Sequence, residues 1–214
     1  MASSKKQLVV IGDSSVYGWG DHEGGGWCER LRMNWMRIEE APVIYQLGIR
    51  GDGLERLAKR WKTEWSVRGE LRRNLPDGIL VSIGLNDTAK IGRSDGRPQL
   101  SSEAFRFGLE RLLKDMKNIS NVWVLGLTAV NEKAMPFSEC LWYSNKACII
   151  YERQIEETCI ELDIPFLPIH KTMINYSGWN ELLDNDGIHL NSKGHIWILN
   201  YIINWNSLRL WSGA

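Results

Sequence analysis

Four short stretches of the 214-residue chain carry side chains able to do acid–base or nucleophilic chemistry. They are Gly12-Asp13-Ser14-Ser15, Gly48-Ile49-Arg50-Gly51-Asp52-Gly53, Gly84-Leu85-Asn86-Asp87 and Asp184-Asn185-Asp186-Gly187-Ile188-His189. Together they supply a serine, glycine amides, a neutral amide side chain, a carboxylate and an imidazole, which is what acyl transfer to serine requires. A serine hydroxyl is a weak nucleophile until a base within hydrogen-bond reach takes its proton. Histidine can take and return that proton near neutral pH. A carboxylate on the other ring nitrogen fixes the tautomer and stabilises the imidazolium. Backbone N–H groups and an uncharged asparagine amide suit an oxyanion, each donor being worth about 2.7–4 kcal/mol. Taken singly, each stretch also reads as a turn, since Gly, Asp, Asn and Ser all favour turns. Their placement along the chain decides between the two readings.

Five nearly continuous apolar runs read as strands covered on both faces: Leu8–Ile11, Val43–Leu47, Ile79–Ile83, Val122–Leu127 and Pro165–Leu167. Helical spacing occupies the intervals, over Trp27–Arg37, Leu54–Asn74, Ser101–Lys117, Tyr143–Leu162 and Ser192–Asn206. Ser101 suits a helix N-cap, and Asn191-Ser192 opens the last helix in a similar way. Alternating strands and helices with long connections predict an α/β fold with a parallel sheet and helices on both faces. With no linker, repeat or low-complexity segment, one domain over residues 1–214 is expected. In such a sheet, ligands bind beyond the carboxyl ends of the strands, where strand order reverses. The first three stretches follow the first three strands and the fourth precedes the last helix, so all four are expected on one edge.

Lys plus Arg and Asp plus Glu number 26 each, so the formal net charge is zero. That balance argues against a nucleic-acid partner, which usually calls for a basic excess. No apolar segment approaches the roughly 18 residues of a membrane span. The run ending at Ile11 is too short for a secretory signal. Cys28, Cys140, Cys148 and Cys159 form no Cys-x-x-Cys pair and are expected as buried free thiols, which fits a cytoplasmic protein.

The ordered set resembles the SGNH hydrolases, the G-D-S-L family of esterases and lipases. Gly12-Asp13-Ser14 looks like the first block, implying Ser14 as nucleophile and as one oxyanion-hole amide. Gln46 to Asp52 looks like the second, implying Gly51 as an oxyanion-hole amide, with Gly48 the alternative. Gly84-Leu85-Asn86-Asp87 matches the third, implying Asn86 as the side-chain oxyanion donor. Asp186-Gly187-Ile188-His189 matches the last, implying Asp186 as orienter and His189 as base. The blocks run in family order over nearly the whole chain. The resemblance implies a flavodoxin-like three-layer α/β/α sandwich with a five-stranded parallel sheet. It also implies a serine esterase or acyl hydrolase cleaving small carboxylic esters through an acyl-enzyme, with no cofactor or metal. The chain departs from the family pattern at Ser15, which replaces the leucine of the label, and at Gln46, where asparagine is common. Arg50 is uncommon beside the second block and is placed to touch substrate. The Gly-x-Ser-x-Gly elbow of α/β-hydrolases is absent.

Two other classes fit parts of the pattern. A non-catalytic flavodoxin-like module would bind a small ligand at the same strand ends, and a metal-dependent hydrolase would use Asp186, His189 and His195. Gly48, Gly51 and Gly53 match neither the dinucleotide nor the P-loop spacing. Of eleven tryptophans, Trp35, Trp61, Trp65, Trp123, Trp197 and Trp205 fall at packing positions. Trp19, Trp142 and Trp179 fall in loops, and some of them are expected to wall an acyl or aromatic pocket. His22 and His170 read as loop or strand-end residues, and Arg68–Arg73 as a solvated helix end.

Overall fold

A computed structural model describes residues 5–69 and 74–214. In chain order its elements are β1 (Gln7–Gly12), α1 (Ser14–Tyr17), α2 (Gly26–Trp35), β2 (Val43–Gly48), α3 (Leu54–Ser66), β3 (Gly78–Ser82), α4 (Leu85–Thr88) and β4 (Lys90–Ile91). There follow α5 (Ser102–Lys117), β5 (Asn121–Leu125), β6 (Leu141–Trp142), α6 (Asn145–Glu161), β7 (Phe166–Leu167), α7 (His170–Ile174), α8 (Ser192–Ile203) and α9 (Asn206–Ser212). Short 3₁₀ turns occupy Glu132–Ala134 and Trp179–Leu182.

Five strands make one parallel sheet in the order β2-β1-β3-β5-β7, the flavodoxin-like order. Successive residues of a strand point to opposite faces, and the core divides accordingly. Val9, Ile11, Ile79, Val81, Val122 and Val124 pack under α3, α5 and α6. Leu8, Val10, Leu80, Trp123 and Leu125 pack under α2, α8 and α9. Three layers result, as the apolar runs predict. Phe105, fully buried on the first face, lies 5.0 Å from the Tyr151 ring; cutting such a side chain to alanine costs about 3–5 kcal/mol.

The chain leaves β1 for β2 on one side and returns to β3 on the other, so strand order reverses between β1 and β3. The residues leaving those two strands are Asp13-Ser14 and Gly84-Leu85-Asn86. Both lead directly into one-turn helices, α1 and α4, that sequence spacing did not reveal. A two-stranded antiparallel ribbon, β4 with β6, joins the segment after α4 to the one before α6.

Several boundaries differ from expectation. The helix expected over Leu54–Asn74 ends at Ser66, and Glu70–Arg73 of the stretch read as solvated lie outside the described residues. The pattern over Ser192–Asn206 divides into α8 and α9 with Trp205 capping the second. Cys28, Cys148 and Cys159 are buried free thiols, but Cys140 is exposed because it sits in a turn before β6 rather than on a helix. Among the described residues, no helix is long and apolar enough to cross a membrane.

Candidate active site

Asp13 ends β1 and caps α1, its Oδ1 accepting the Ser15 N–H at 2.9 Å. That turn makes Ser14 the first helical residue and aims its Oγ at His189 Nε2, 3.0 Å away. Ser15 faces the α2 side, where its Oγ accepts the Trp27 Nε1–H at 3.1 Å. Of the two adjacent serines, only Ser14 meets the histidine.

The histidine stands on a loop closed by its own backbone, Asp184 N–H donating to His189 O and Gly187 N–H to Asp184 O. His189 Nδ1 lies 2.6 Å from Asp186 Oδ2, and Asp186 Oδ1 accepts the backbone N–H groups of Ile188 and His189, each at 3.0 Å. Burial pushes the Asp186 carboxyl upward, but the His189 ring and the two amides outweigh it and hold the group at about 2. The carboxylate is therefore ionised near neutral pH, and one imidazole bridges it to a hydroxyl.

Opposite the histidine lie the groups expected to bind an oxyanion. Asn86 is pinned at both ends: its Oδ1 accepts the Tyr143 hydroxyl at 3.2 Å, and its Nδ2 donates to Asp52 O at 2.9 Å. A second, long contact of 3.4 Å runs from Nδ2 to Asp13 Oδ2. Gly48 and Gly51 differ sharply. A Cβ on Gly48 would lie 2.2 Å from Tyr17 N, so this glycine lets β2 approach α1. Gly51 has φ +76 and open space where a Cβ would be, and its N–H donates to nothing among the described residues. Gly51 is thus the one free to face a ligand.

One arginine spaces these loops. Arg60 on α3 donates to Asp52 Oδ2 at 2.7 Å, to Leu47 O at 3.1 Å and to Gly12 O at 2.9 Å. It thereby ties the ends of β1 and β2 to the turn carrying Gly51. Asp87 accepts the Leu54 N–H at the start of α3. Burial pushes Asp87 up to about 7 against that bond, and pushes Asp13 up to about 6 against the Ser15 amide. Neither Arg60 nor Tyr143 carries a motif that would mark it in the sequence.

The aromatic wall is partly the expected one. Trp19 sets its ring edge toward His189, with centroids 6.2 Å apart, and the Arg50 guanidinium lies over Trp19 at 3.3 Å. Phe137, unmarked by the sequence, meets the other side of His189 at 5.8 Å. Trp142 sits in β6 and donates to Gly92 O, while Trp179 packs against the core cluster on the α8 side. Those two make no ring contact with His189. A hollow of about 30 Å³ lies against Ser14 and His189, bounded by Leu127, Thr128, Leu190 and Ile198.

His195 stands apart from Asp186 and His189. Its Nδ1 accepts the Trp27 backbone N–H and its Nε2 pairs with Trp19 O, both at 3.1 Å, so both nitrogens tie backbone together. Among the described residues, no group of three His, Cys, Asp or Glu side chains could hold a metal ion. His170, a strand-end histidine by sequence, opens α7 with its Nε2 3.0 Å from Asn145 Oδ1.

The model of the GDSL-like lipase/acylhydrolase family matches residues 10–196, from β1 into α8. The chain belongs to that family. No curated protein matches its sequence. A lipase/acylhydrolase from Enterococcus faecalis superposes with a TM-score of 0.75 at 20% identity, covering 92% of this chain and 93% of that one. The psychrotrophic esterase EstA from Pseudoalteromonas sp., solved inhibited by monoethylphosphonate, gives 0.71 at 15% identity over 98% and 100%. An acetylxylan esterase from Geobacillus stearothermophilus gives 0.70 at 15% identity over 94% of each chain. These likenesses show the three-layer fold of the GDSL family, and family membership supports ester hydrolysis in general terms.

Proposed function

We propose that the protein is a serine esterase that hydrolyses small carboxylic esters through an acyl-enzyme. The observation that carries this reading is the row from Ser14 Oγ through the His189 ring to Asp186 Oδ2, with spacings of 3.0 and 2.6 Å. Ser14 Oγ attacks the ester carbonyl carbon as its proton passes to His189 Nε2. The carbonyl oxygen takes the electron pair and is met by the N–H groups of Ser14 and Gly51 and by Asn86 Nδ2. Collapse of the adduct breaks the bond to the alkoxy oxygen, which leaves as the alcohol with the proton from His189. Water then attacks the acyl carbon while His189 takes its proton, and the acid departs as Ser14 is restored. Asp186 stabilises the imidazolium in both halves.

The hollow beside Ser14, about 30 Å³, supports a small acyl group, since a single water needs about 10–15 Å³ on a comparable measure. The Arg50–Trp19 plate borders the same histidine and supports contact with the rest of the substrate. The test is twofold. An alkyl fluorophosphonate should add one phosphonyl mass to Ser14, and kcat/KM on p-nitrophenyl esters should fall as the acyl chain lengthens. Labelling at another residue, or full turnover by Ser14→Ala, would overturn the assignment.

A further inference from the structure

The far half of α8 carries a second concave surface, a groove of about 730 Å³ between α7, α8 and the start of α9. Four aromatic residues line it: Tyr176, Trp197, Tyr201 and Trp205. Three of the rings run in series, Tyr176 to Trp197 at 6.0 Å and Trp197 to Tyr201 at 4.6 Å. No charged side chain lines the groove, and its sole aliphatic member is Leu167. Three asparagines complete it. Asn204 donates its amide to Asn200 O, and Asn206 accepts from Arg209.

The other polar groups in the groove have no protein partner among the described residues. These are the Tyr176 and Tyr201 hydroxyls, the indole N–H groups of Trp197 and Trp205, and the Asn200 side-chain amide. None of them is a buried orphan, so all remain reachable from outside. Tyr176 and Tyr201 are exposed, at 45% and 37%. A site of this size falls within the roughly 300–1,000 Å³ of small-ligand clefts, which pair apolar and aromatic walls with a few orienting polar groups.

We infer that this groove binds a neutral oligosaccharide. Sugar rings present C–H faces that pack on aromatic rings and hydroxyls that both donate and accept hydrogen bonds. Phenol, indole and amide groups without partners supply that complement. The groove itself is uncharged, and the adjoining hollow that shares Tyr176, Trp197 and Asn200 holds one charge of each sign, Glu181 and Lys193, so neither an anion nor a cation is favoured. The groove and the Ser14 hollow share no lining residue, because α8 turns Ile198 toward the hollow and Trp197, Asn200 and Tyr201 toward the groove, so the two are separate. The inference holds whether or not Ser14 hydrolyses esters.

The test is isothermal titration of the intact protein with unacetylated neutral xylo-, gluco- and manno-oligosaccharides. At least one series should bind, and the double variant Tyr176→Ala/Tyr201→Ala should weaken it by about tenfold or more, equivalent to ~1.4 kcal/mol. Asn200→Ala, exposed and on the same face, should weaken it less. Hydrolysis of p-nitrophenyl acetate should be unchanged in both variants. Absence of binding by every series at millimolar concentration would overturn the proposal. So would binding that survives the double variant. A change of sedimentation coefficient in the double variant, without an effect on sugar binding, would instead make the groove an interface between copies.

Discussion

The two ends of α8 present polar groups in opposite ways. Near its start, His189 and Asp186 in the preceding loop and Asn86 on α4 are each held by two or more partners, so their orientations are set before any ligand arrives. Farther along, Asn200 and Tyr201 on α8 and Tyr176 after α7 are exposed, with side-chain polar atoms that no protein group holds among the described residues. Fixed groups suit bond-making, where a displacement of about 1 Å can cost roughly 10²-fold in rate. Unpartnered groups suit reversible recognition, where a ligand replaces water. The contrast separates two kinds of variant: those that change turnover without touching the groove, and those that do the reverse.

The largest effect should come from Ser14→Ala, which on the acyl-enzyme scheme lowers kcat by about 10⁴-fold or more while circular dichroism and groove binding stay as in the parent. Asp186→Asn should lower kcat by about 10³–10⁴-fold, because the ring would lose the carboxylate that selects its tautomer; activity within tenfold of the parent would break the proposed role. Removing the amide in Asn86→Ala should cost about 10²–10³-fold, chiefly in kcat, and an effect confined to KM would assign Asn86 to substrate binding instead. Smallest is a stability effect at Asp87. Its folded pKa, pushed up to about 7, exceeds the unfolded value of about 3.9. The folded state therefore holds the proton more tightly, and this contribution is complete below about pH 4 and lost as pH rises through 7. Asp87→Asn keeps the neutral form at every pH. Its melting temperature relative to the parent should rise by about 5–10 °C between pH 5 and pH 8, as expected for ~2–3 kcal/mol. A pH-independent difference would show that Asp87 is not the titrating group.

What was legible in the sequence is what lies close together along the chain. The strands announce themselves as apolar runs, and the residues leaving them are fixed by a few bonds of backbone, so Asp13-Ser14 and Asn86 could be read from local order, as could Asp186–His189 from its place just ahead of the last helix. Groups that arrive by packing were not legible. Phe137 reaches His189 from a turn, and Tyr143 reaches Asn86 from the residue after β6. Arg60 is one basic residue among several on α3, and only the crossing of β1, β2 and the Asp52 turn distinguishes it. A loop position alone does not separate the tryptophans: Trp19 borders the site while Trp179 packs against the core. The helix expected over Leu54–Asn74 stops at Ser66, three residues ahead of Gly69, a residue type that weakens helices.

Arg60 has a consequence for how the protein responds to heat. One guanidinium, with only 15% of its side chain exposed, joins the loop of Ser14 to the loop of Gly51, beside the bond from Ile49 N–H to Gly12 O. Its forked bonds to two carbonyls and to Asp52 and Glu64 are local, whereas the sheet is held by two extensive apolar layers. Warming should therefore loosen the spacing between those loops before the layers part. The protein would then have a lower ceiling temperature for activity than for folding, set at the few polar bonds that gather around Arg60.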